Sequence, residues 1–399
     1  MKYYIKTFGC QMNFSDSERI AGFLGLHKFK PVKDINLANL VIFNTCGVRQ
    51  TAEDRVYGQI HNIRKQEERS KNKAKRVIVL TGCLANRKDV KRRLKNKVDL
   101  FFPINDFNKF EHFIIKNCLK IKNLKLKIPA RQSKCKNLSY LSIKPKYLNP
   151  KETYVPVMTG CNNFCSYCVV PYARGREISR PMEDIVKEIN ALNKKGCGEI
   201  TLLGQNVNSY KYKNTPRLSS PRKRGSSEKI KSNDWIPVYT GMTNITFPYL
   251  LDFFAHSYPQ INFKFLTSHP KDFSDELINT IAKNKNISRE IHLPVQSGSD
   301  KILKAMNRPY TQKKYLALIG KIRKKIPNAT FTTDAIVGFP GETEKDFQET
   351  AKIFKKIKCS EAYINKYSPR PGTTAWKLGN PISWEEKKRR EKVLRALVK

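Results

Sequence analysis

Short apolar runs rich in β-branched and aromatic residues recur at 3–7, 40–44 and 77–81, with longer polar, helix-compatible stretches between them. That alternation predicts a small α/β domain with a parallel sheet over residues 1–118. The rhythm resumes at 153, with candidate strands at 153–159, 199–203, 263–267, 290–293, 332–337 and 362–366. The first crossover helix is marked by Ser179 as a candidate cap, Glu183 and Asp184 in its first turn, and Gly196 beyond its end. Six such units close only part of a barrel, short of the eight of a full TIM barrel. The fold class is therefore α/β, a small N-terminal parallel-sheet domain followed by a partial, TIM-like (βα)6 barrel over 151–382. Sites in such folds lie at the C-terminal ends of the strands.

Two stretches break the rhythm. Residues 119–150 hold nine basic side chains and no acidic one, with Pro129, Pro145 and Pro150 among them. They read as a basic linker that can touch phosphate. Residues 211–244 have no helical or strand period and carry eight basic against two acidic residues. They read as a surface insertion, disordered at least in part. The chain closes on SWEEKKRREKVLRALVK, where Ser383 and Glu386 make a capping-box pattern for a basic terminal helix over 383–399.

Charge changes the picture. Lys and Arg number 77 against 34 Asp and Glu, a formal net charge of +43. A polyanion such as nucleic acid is the partner this favours, with a chain-wide lysine bias as the competing explanation. No run approaches the ~18 apolar residues of a membrane span. The first thirteen residues contain Lys2 and Lys6 and no apolar core, so they do not read as a signal peptide. The expected compartment is the cytoplasm, where thiols stay reduced.

The ten cysteines carry the chemistry. GCNNFCSYC places Cys161, Cys165 and Cys168 in one loop after a predicted strand, with C-x3-C-x2-C spacing. A structural zinc site closes with four ligands, whereas a cubane four-iron cluster bound by three thiolates keeps one iron open. The amino and carboxylate groups of S-adenosylmethionine can chelate that iron. One electron into the sulfonium then yields methionine and a 5′-deoxyadenosyl radical. A zinc loop completed by a distant ligand is the competing reading. Cys10, Cys46 and Cys83 each lie just past a predicted strand, at intervals close to one βα unit. Parallel strands point the same way, so these three gather at one sheet edge and can hold a second cluster with an open iron. Cys118, Cys135, Cys197 and Cys359 lack ligand spacing and are expected to be free or buried thiols. His269 and His292 sit near strand ends, where core or hydrogen-bonding roles fit them better than metal ligation.

CNNFCSYC followed by VVPYARGREISR resembles the radical S-adenosylmethionine (radical SAM) superfamily, in its methylthiotransferase branch. KTFGCQMN, NTCGVRQTAEDRV, LLGQNVNSY, TSHPKDFSDEL, HLPVQSGSDKILKAMNR, TTDAIVGFPGET and NKYSPRPGT extend the likeness over nearly the whole chain, most closely to tRNA methylthiotransferases of the MiaB type. The resemblance implies two 4Fe-4S clusters, an auxiliary one on Cys10, Cys46 and Cys83 and the radical SAM one on Cys161, Cys165 and Cys168. It implies conversion of N6-isopentenyladenosine, beside the anticodon of tRNA, to its 2-methylthio form, with one S-adenosylmethionine supplying methyl and another the radical. Cofactor contacts are expected at Tyr167, at Gly204, Gln205 and Asn206, at Gln296 and Ser297, and at Gly338, Gly341 and Glu342. Arg174, Arg176 and Arg180 flank the cluster loop and are candidates for RNA phosphate. Implied partners are the anticodon stem-loop, bound in a salt-sensitive way, and an electron donor such as flavodoxin or ferredoxin, acting on a monomer. Sister enzymes for threonylcarbamoyladenosine or for an aspartate of a ribosomal protein share the cysteines. A non-catalytic, metal-bearing RNA-binding protein is the alternative from another class. Relatives carry a small C-terminal RNA-binding TRAM module, which is expected to be absent here.

Overall fold

The structure, a computed structural model, describes residues 1–70, 75–118, 140–213 and 244–398. Most of the basic linker, Cys135 and positions 214–243 of the insertion lie outside these residues. The N-terminal sheet comprises β1 (Lys2–Phe8), β2 (Lys30–Pro31), β3 (Leu40–Thr45), β4 (Val77–Gly82) and β5 (Leu100–Phe101). Its order is β2, β1, β3, β4, β5, and every pairing is parallel. The three predicted strands are the central three. The two edge strands are too short to show a period, which is why the pattern missed them. All six residues of β3 are buried, so its apolar run is continuous. Leu40 and Ile42 face one core layer with Phe23, Phe102 and Phe110. Val41 and Phe43 face the other, with Val56, Ile60 and Leu80.

The second unit begins with β6 (Glu152–Pro156), then β7 (Met158–Thr159) paired antiparallel with β8 (Ile178–Ser179). There follow β9 (Glu199–Leu203), an antiparallel ribbon of β10 (Lys211–Lys213) and β11 (Asn244–Thr246), β12 (Asn262–Phe265), β13 (Glu290–His292), β14 (Thr330–Val337) and β15 (Glu361–Lys366). The ribbon forms the base of the insertion, a strand pair the composition did not announce. Parallel pairing runs β6, β9, β12 and again β13, β14, β15. A parallel bridge from Phe263 to Ile287 joins the two sets into an open barrel. Ile200, Leu202, Phe263, Ile291, Ala335 and Val337 point outward into the helical layer. Ser179 does not cap the first crossover helix. It sits in β8, and the helix Met182–Asn193 starts after Pro181 with no side-chain cap. At the terminal helix Trp384–Arg395, Ser383 accepts from the Glu386 amide, while the Glu386 carboxylate turns to Arg389 and Arg390.

Buried ion pairs join the two units. Asp16, on the helix Gln11–Leu26, meets Arg174 at 2.6 Å. Arg19 on the same helix reaches both oxygens of Glu188 from one nitrogen, Nη2, at 2.9 and 3.0 Å, and Arg180 meets the same carboxylate at 2.7 Å. On the opposite side Arg370, just past β15, donates to Glu53 at 3.0 Å and to the Val48 carbonyl at 2.7 Å. Removing one partner of such a pair strands the other charge. Arg174→Ala is expected to lose about 3–5 kcal/mol of unfolding free energy, read by urea titration, and Asp16→Asn combined with Arg174→Gln to recover part of it. An Arg174→Ala titration that overlays the parent would remove this pair from the account of the interface.

Glu18, beside Arg19, accepts from the Leu148 amide at 2.9 Å, and its second oxygen is buried without a partner. Burial pushes its carboxyl up to about 7. The folded value lies above the ordinary one, so the stability held in the neutral form is complete at low pH and is lost as pH rises through about 7. Glu18→Gln should therefore gain stability on the parent chain between about pH 5 and about pH 8. A difference in urea midpoints that stays constant over that range would contradict the neutral assignment.

Candidate functional site

Cys46 and Cys83 directly follow the paired residues Thr45 and Gly82, and Cys10 lies two residues beyond Phe8, which pairs with Thr45. The predicted row of thiols is thus present along one edge of the sheet. Gly82 has φ +85, and a Cβ there would lie 2.4 Å from the Thr45 carbonyl and 2.6 Å from Asn44 Oδ1. Only glycine permits that approach of the two strand ends. Asn13 and Asn44, both fully buried, tie the row together. Asn13 Nδ2 donates to Asn44 Oδ1 at 2.8 Å, Asn44 Nδ2 returns a bond to the Asn13 carbonyl at 2.7 Å, and Asn13 Oδ1 accepts from the Cys10 amide and thiol. Neither asparagine was singled out beforehand, although a polar residue inside the run LVIFNTC was a usable signal.

Burial pushes the Cys46 thiol up to about 12, with the charges of Cys83 and Cys10 adding to the shift. Cys10 is raised by the same two causes, burial first, then Cys83, against the lowering field of Arg174. The three thiols therefore lie within one another's electrostatic reach.

The second set lies in the loop between β7 and β8. Gly160 opens it at φ +80, where a Cβ would fall 1.9 Å from the Arg176 carbonyl. Cys161 and Cys168 are raised by burial, and Cys168 next by Cys165. The charge of Cys83 adds a little to the rise of Cys168, and the Asp16–Arg174 pair ties the helix after Cys10 to the short helix after Cys168. Arg308, buried and missed in the sequence, points its guanidinium at the Cys165 sulfur from 3.6 Å. It is held by the Pro294 carbonyl at 3.1 Å and the Tyr310 hydroxyl at 2.9 Å. Tyr167 packs against Ile302, Met306, Phe339 and Tyr367, and its phenol is raised chiefly by burial.

The remaining predicted positions divide. Gly204, Gln205 and Asn206 stand at the top of β9. Gln205 Oε1, Asn206 Oδ1, Asn208 Nδ2 and, from the top of β12, His269 Nε2 are all buried without a hydrogen-bond partner. His269 Nδ1 accepts from the Lys271 amide, so the ring proton belongs on the unpartnered Nε2. Burial and then the charge of Arg308 push this ring down to about 2, keeping it neutral. Orphaned donors and acceptors in one place cost about 1–3 kcal/mol each and mark a site for a polar ligand carrying both complements, as an amino-acid group does. Gln296, at φ +65, is a left-handed non-glycine residue at the same rim, as are Phe164 (+47) and the β-branched Thr267 (+71). Such strain collects at binding sites.

Other expectations need correction. Ser297 is buried and bonded to Thr350 and the Ser299 amide. Glu342 is paired with Arg390 of the terminal helix and accepts from the Gly338 amide at 2.6 Å. Both therefore brace the rim rather than face its interior. Gly338 (φ +73) lies against Lys387, and Gly341 (φ +85) completes the turn in open space. Arg174 and Arg180 are not a phosphate rim, because both are buried in the ion pairs described above. Arg176 alone is exposed, stacked over Phe164 with its guanidinium carbon 4.3 Å from the ring centre. Cys118, Cys197 and Cys359 are buried free thiols, as expected.

The donor set fits iron–sulfur clusters, with Cys46, Cys83 and Cys161 buried, Cys165 and Cys168 half-buried and Cys10 exposed. Among the described residues no three His, Cys, Asp or Glu side chains converge as they would around a single metal ion. Because the thiols of Cys10, Cys46, Cys161 and Cys168 are raised, binding iron as thiolates must expel their protons.

Comparison with known proteins agrees with this geometry. Residues 155–354 match the radical SAM superfamily, and residues 2–103 match a family described only as uncharacterized, UPF0004. A tRNA-2-methylthio-N(6)-dimethylallyladenosine synthase of Syntrophomonas wolfei is 39% identical over 98% of this chain and 80% of its own length. One from Thermotoga petrophila is 39% identical over 100% of this chain and 82% of its own. Among solved structures, the radical S-adenosylmethionine methyltransferase TsrM of Kitasatospora setae superposes with TM-score 0.58 at 13% identity, covering 94% of this chain and 75% of that one. The cobalamin-dependent S-adenosylmethionine radical enzyme OxsB does so with TM-score 0.52 at 8% identity, covering 99% and 56%. These two likenesses concern the fold.

After anaerobic reconstitution with iron and sulfide, Cys46→Ala and Cys165→Ala should each retain about half of the parent iron, and the double variant almost none. Iron and sulfide analysis decides it; zinc in place of iron, or a single variant that loses everything, would refute two independent centres.

Proposed function

The chain belongs to the radical SAM superfamily and, within it, to the tRNA-2-methylthio-N(6)-dimethylallyladenosine synthases, and on that premise we propose that its two cysteine trios each hold one 4Fe-4S cluster. The protein is a radical methylthiotransferase acting on tRNA. It replaces the C2 hydrogen of N6-isopentenyladenosine, next to the anticodon, with a methylthio group, using S-adenosylmethionine both as methyl donor and as radical source. When bound, the clusters and S-adenosylmethionine supply the electron, the radical, the methyl group and the sulfur.

The protein's own residues do the placing. Cys161, Cys165 and Cys168 are the ligands on the barrel, and Cys10, Cys46 and Cys83 those on the sheet edge. Arg308 sets a permanent positive charge against the Cys165 sulfur. Gln205, Asn206, Asn208 and His269 offer unpaired acceptors and donors to the methionyl end of S-adenosylmethionine, and Tyr167 and Gln296 line the same rim. Adenine C2–H has no useful acidity, so a base has little purchase on it; the site brings the base between the two trios instead. The single observation that supports this arrangement most is the buried Asp16–Arg174 pair at 2.6 Å, which joins the helix that begins after Cys10 to the helix that begins just after Cys168. No helix among the described residues is long and apolar enough to cross a membrane. The cytoplasm, a monomeric state and a flavodoxin- or ferredoxin-type donor complete the proposal.

Reconstituted protein, S-adenosylmethionine, reductant and an isopentenylated anticodon stem-loop should yield the 2-methylthio nucleoside by mass spectrometry, whereas a stem-loop without the isopentenyl group should not react. Cys165→Ala should abolish 5′-deoxyadenosine formation. Cys46→Ala should spare part of that cleavage and stop methylthio transfer. Equal reaction of both stem-loops would move the substrate assignment elsewhere in the family.

A further inference from the structure

A groove that neither cysteine trio occupies lies between β15 and the loop after Cys46. It encloses about 570 Å³ and is lined by Arg49, Glu361, Tyr363, Asn365 and Arg395, among others. Arg49 comes from the N-terminal domain and the others from the barrel and terminal helix, so the groove spans the domain boundary. Val48, next to Arg49, donates its amide to the Cys46 sulfur at 3.3 Å, which puts one end of the groove beside the auxiliary thiols. Tyr363 is 41% exposed. Its ring meets His292 edge-on at 6.2 Å, and the charge of Arg49 reaches its phenol. Arg395 is exposed and tethered to Glu391 at 2.8 Å. Glu361, Tyr363 and Asn365 alternate with buried neighbours, and among the described residues β15 pairs with β14 alone. One edge of its backbone is therefore free to hydrogen-bond.

A volume of this size accommodates one small ligand. A half-exposed aromatic ring beside a guanidinium is a stacking platform for a nucleobase, and arginines at the groove suit phosphate. A peptide laid along β15 would need apolar pockets at alternate positions, and the exposed positions here are Glu, Tyr and Asn. We propose that this groove is a nucleotide subsite, which takes the residue adjoining the modified adenosine in the RNA strand. The base stacks on Tyr363, the phosphate meets Arg49 and Arg395, and Asn365 with the free edge of β15 contacts the base edge. The proposal rests on the reading of the chain as a tRNA-modifying enzyme and adds to it where the neighbouring nucleotide sits.

The test uses the full, reconstituted chain and fluorescence anisotropy of a labelled, isopentenylated anticodon stem-loop. Tyr363→Ala should weaken binding about tenfold, and Tyr363→Trp should keep it within about twofold, because stacking needs a ring and not a hydroxyl. Making either neighbour of the target adenosine abasic, each in turn, should identify one position whose loss weakens the parent by a similar factor. That abasic change should cost Tyr363→Ala nothing further. If Tyr363→Ala binds as the parent does, or if its loss simply adds to that of both abasic positions, the subsite is overturned while methylthiolation by the parent stands. If Tyr363→Trp falls with Tyr363→Ala, the ring is structural and the subsite is likewise overturned. A parent chain that neither binds nor modifies the stem-loop removes the enzymatic reading and the groove together.

Discussion

The site depends on carboxylates and guanidinium groups that meet where the two domains touch. Asp16 with Arg174, Glu188 with Arg19 and Arg180, and Glu53 with Arg370 are all inaccessible to water or nearly so. Burying such pairs is a poor route to stability, since desolvation offsets most of the Coulomb gain. Their value here is positional. A greasy interface can slide by a residue at little cost, whereas Arg19, held at once by the Glu188 carboxylate and by the Leu141 and Ile143 carbonyls, tolerates one geometry. Two of the contacts stem from the helix that Cys10 introduces, and the third reaches the loop that Cys46 introduces. The registration of the domains and the registration of the thiol trios are thus one constraint. Glu18, neutral through part of the accessible pH range, sits inside the same network and makes it sensitive to proton activity.

The residues at the rim of the site carry free-energy costs that bound ligands would relieve. Thiols raised by burial stay protonated, several polar atoms at the tops of β9 and β12 lack partners, and Phe164, Thr267 and Gln296 hold left-handed backbone. Each is unfavourable alone, and their concentration at one rim follows from building a site for charged, chelating ligands before those ligands arrive. Cluster and cofactor binding therefore count as folding energy for this region. The helical layer outside the barrel, by contrast, is held by one large apolar cluster, with the buried polar side chains Asn284, Asp346 and Thr350 hydrogen-bonded.

Much of this was legible in the amino-acid order. The nine strands inferred from apolar runs are all present with ends shifted by a few residues, because a strand buried on both faces writes its boundaries as a change from apolar to polar. The cysteine phase was equally readable, since parallel strands convert a repeat of about one βα unit into a row. What failed was anything decided by distant partners. Arg174 and Arg180 look like a basic rim until Asp16 and Glu188 are seen beside them. Glu342 looks like a ligand contact until Arg390 arrives from the terminal helix. Conversely, Arg308 and Asn13 carry no local signature, since a buried polar side chain reads as solvent-exposed when its partners are elsewhere in the chain, whereas Asn44 is marked only by its place inside the apolar run LVIFNTC. Ser179 failed for a local reason: Pro181 already fixes the backbone that opens the helix.

An open barrel poses a problem that a closed one does not, because its first and last strands each present an unpaired edge. The N-terminal domain contacts the barrel near both, packing its first long helix against β6 and meeting Arg370 just beyond the end of β15. It therefore straddles the gap rather than closing it, and the gap stays as wide as six strands leave it. A tRNA stem-loop cannot thread a closed barrel, so a reaction at a base in its loop requires a lateral entrance next to the cofactor rim. Six strands instead of eight, and a second domain clamped across the opening by charges instead of by a continued sheet, answer the same need. The fold leaves one side of the barrel open, which is the access a macromolecule needs to present a single base to the strand ends.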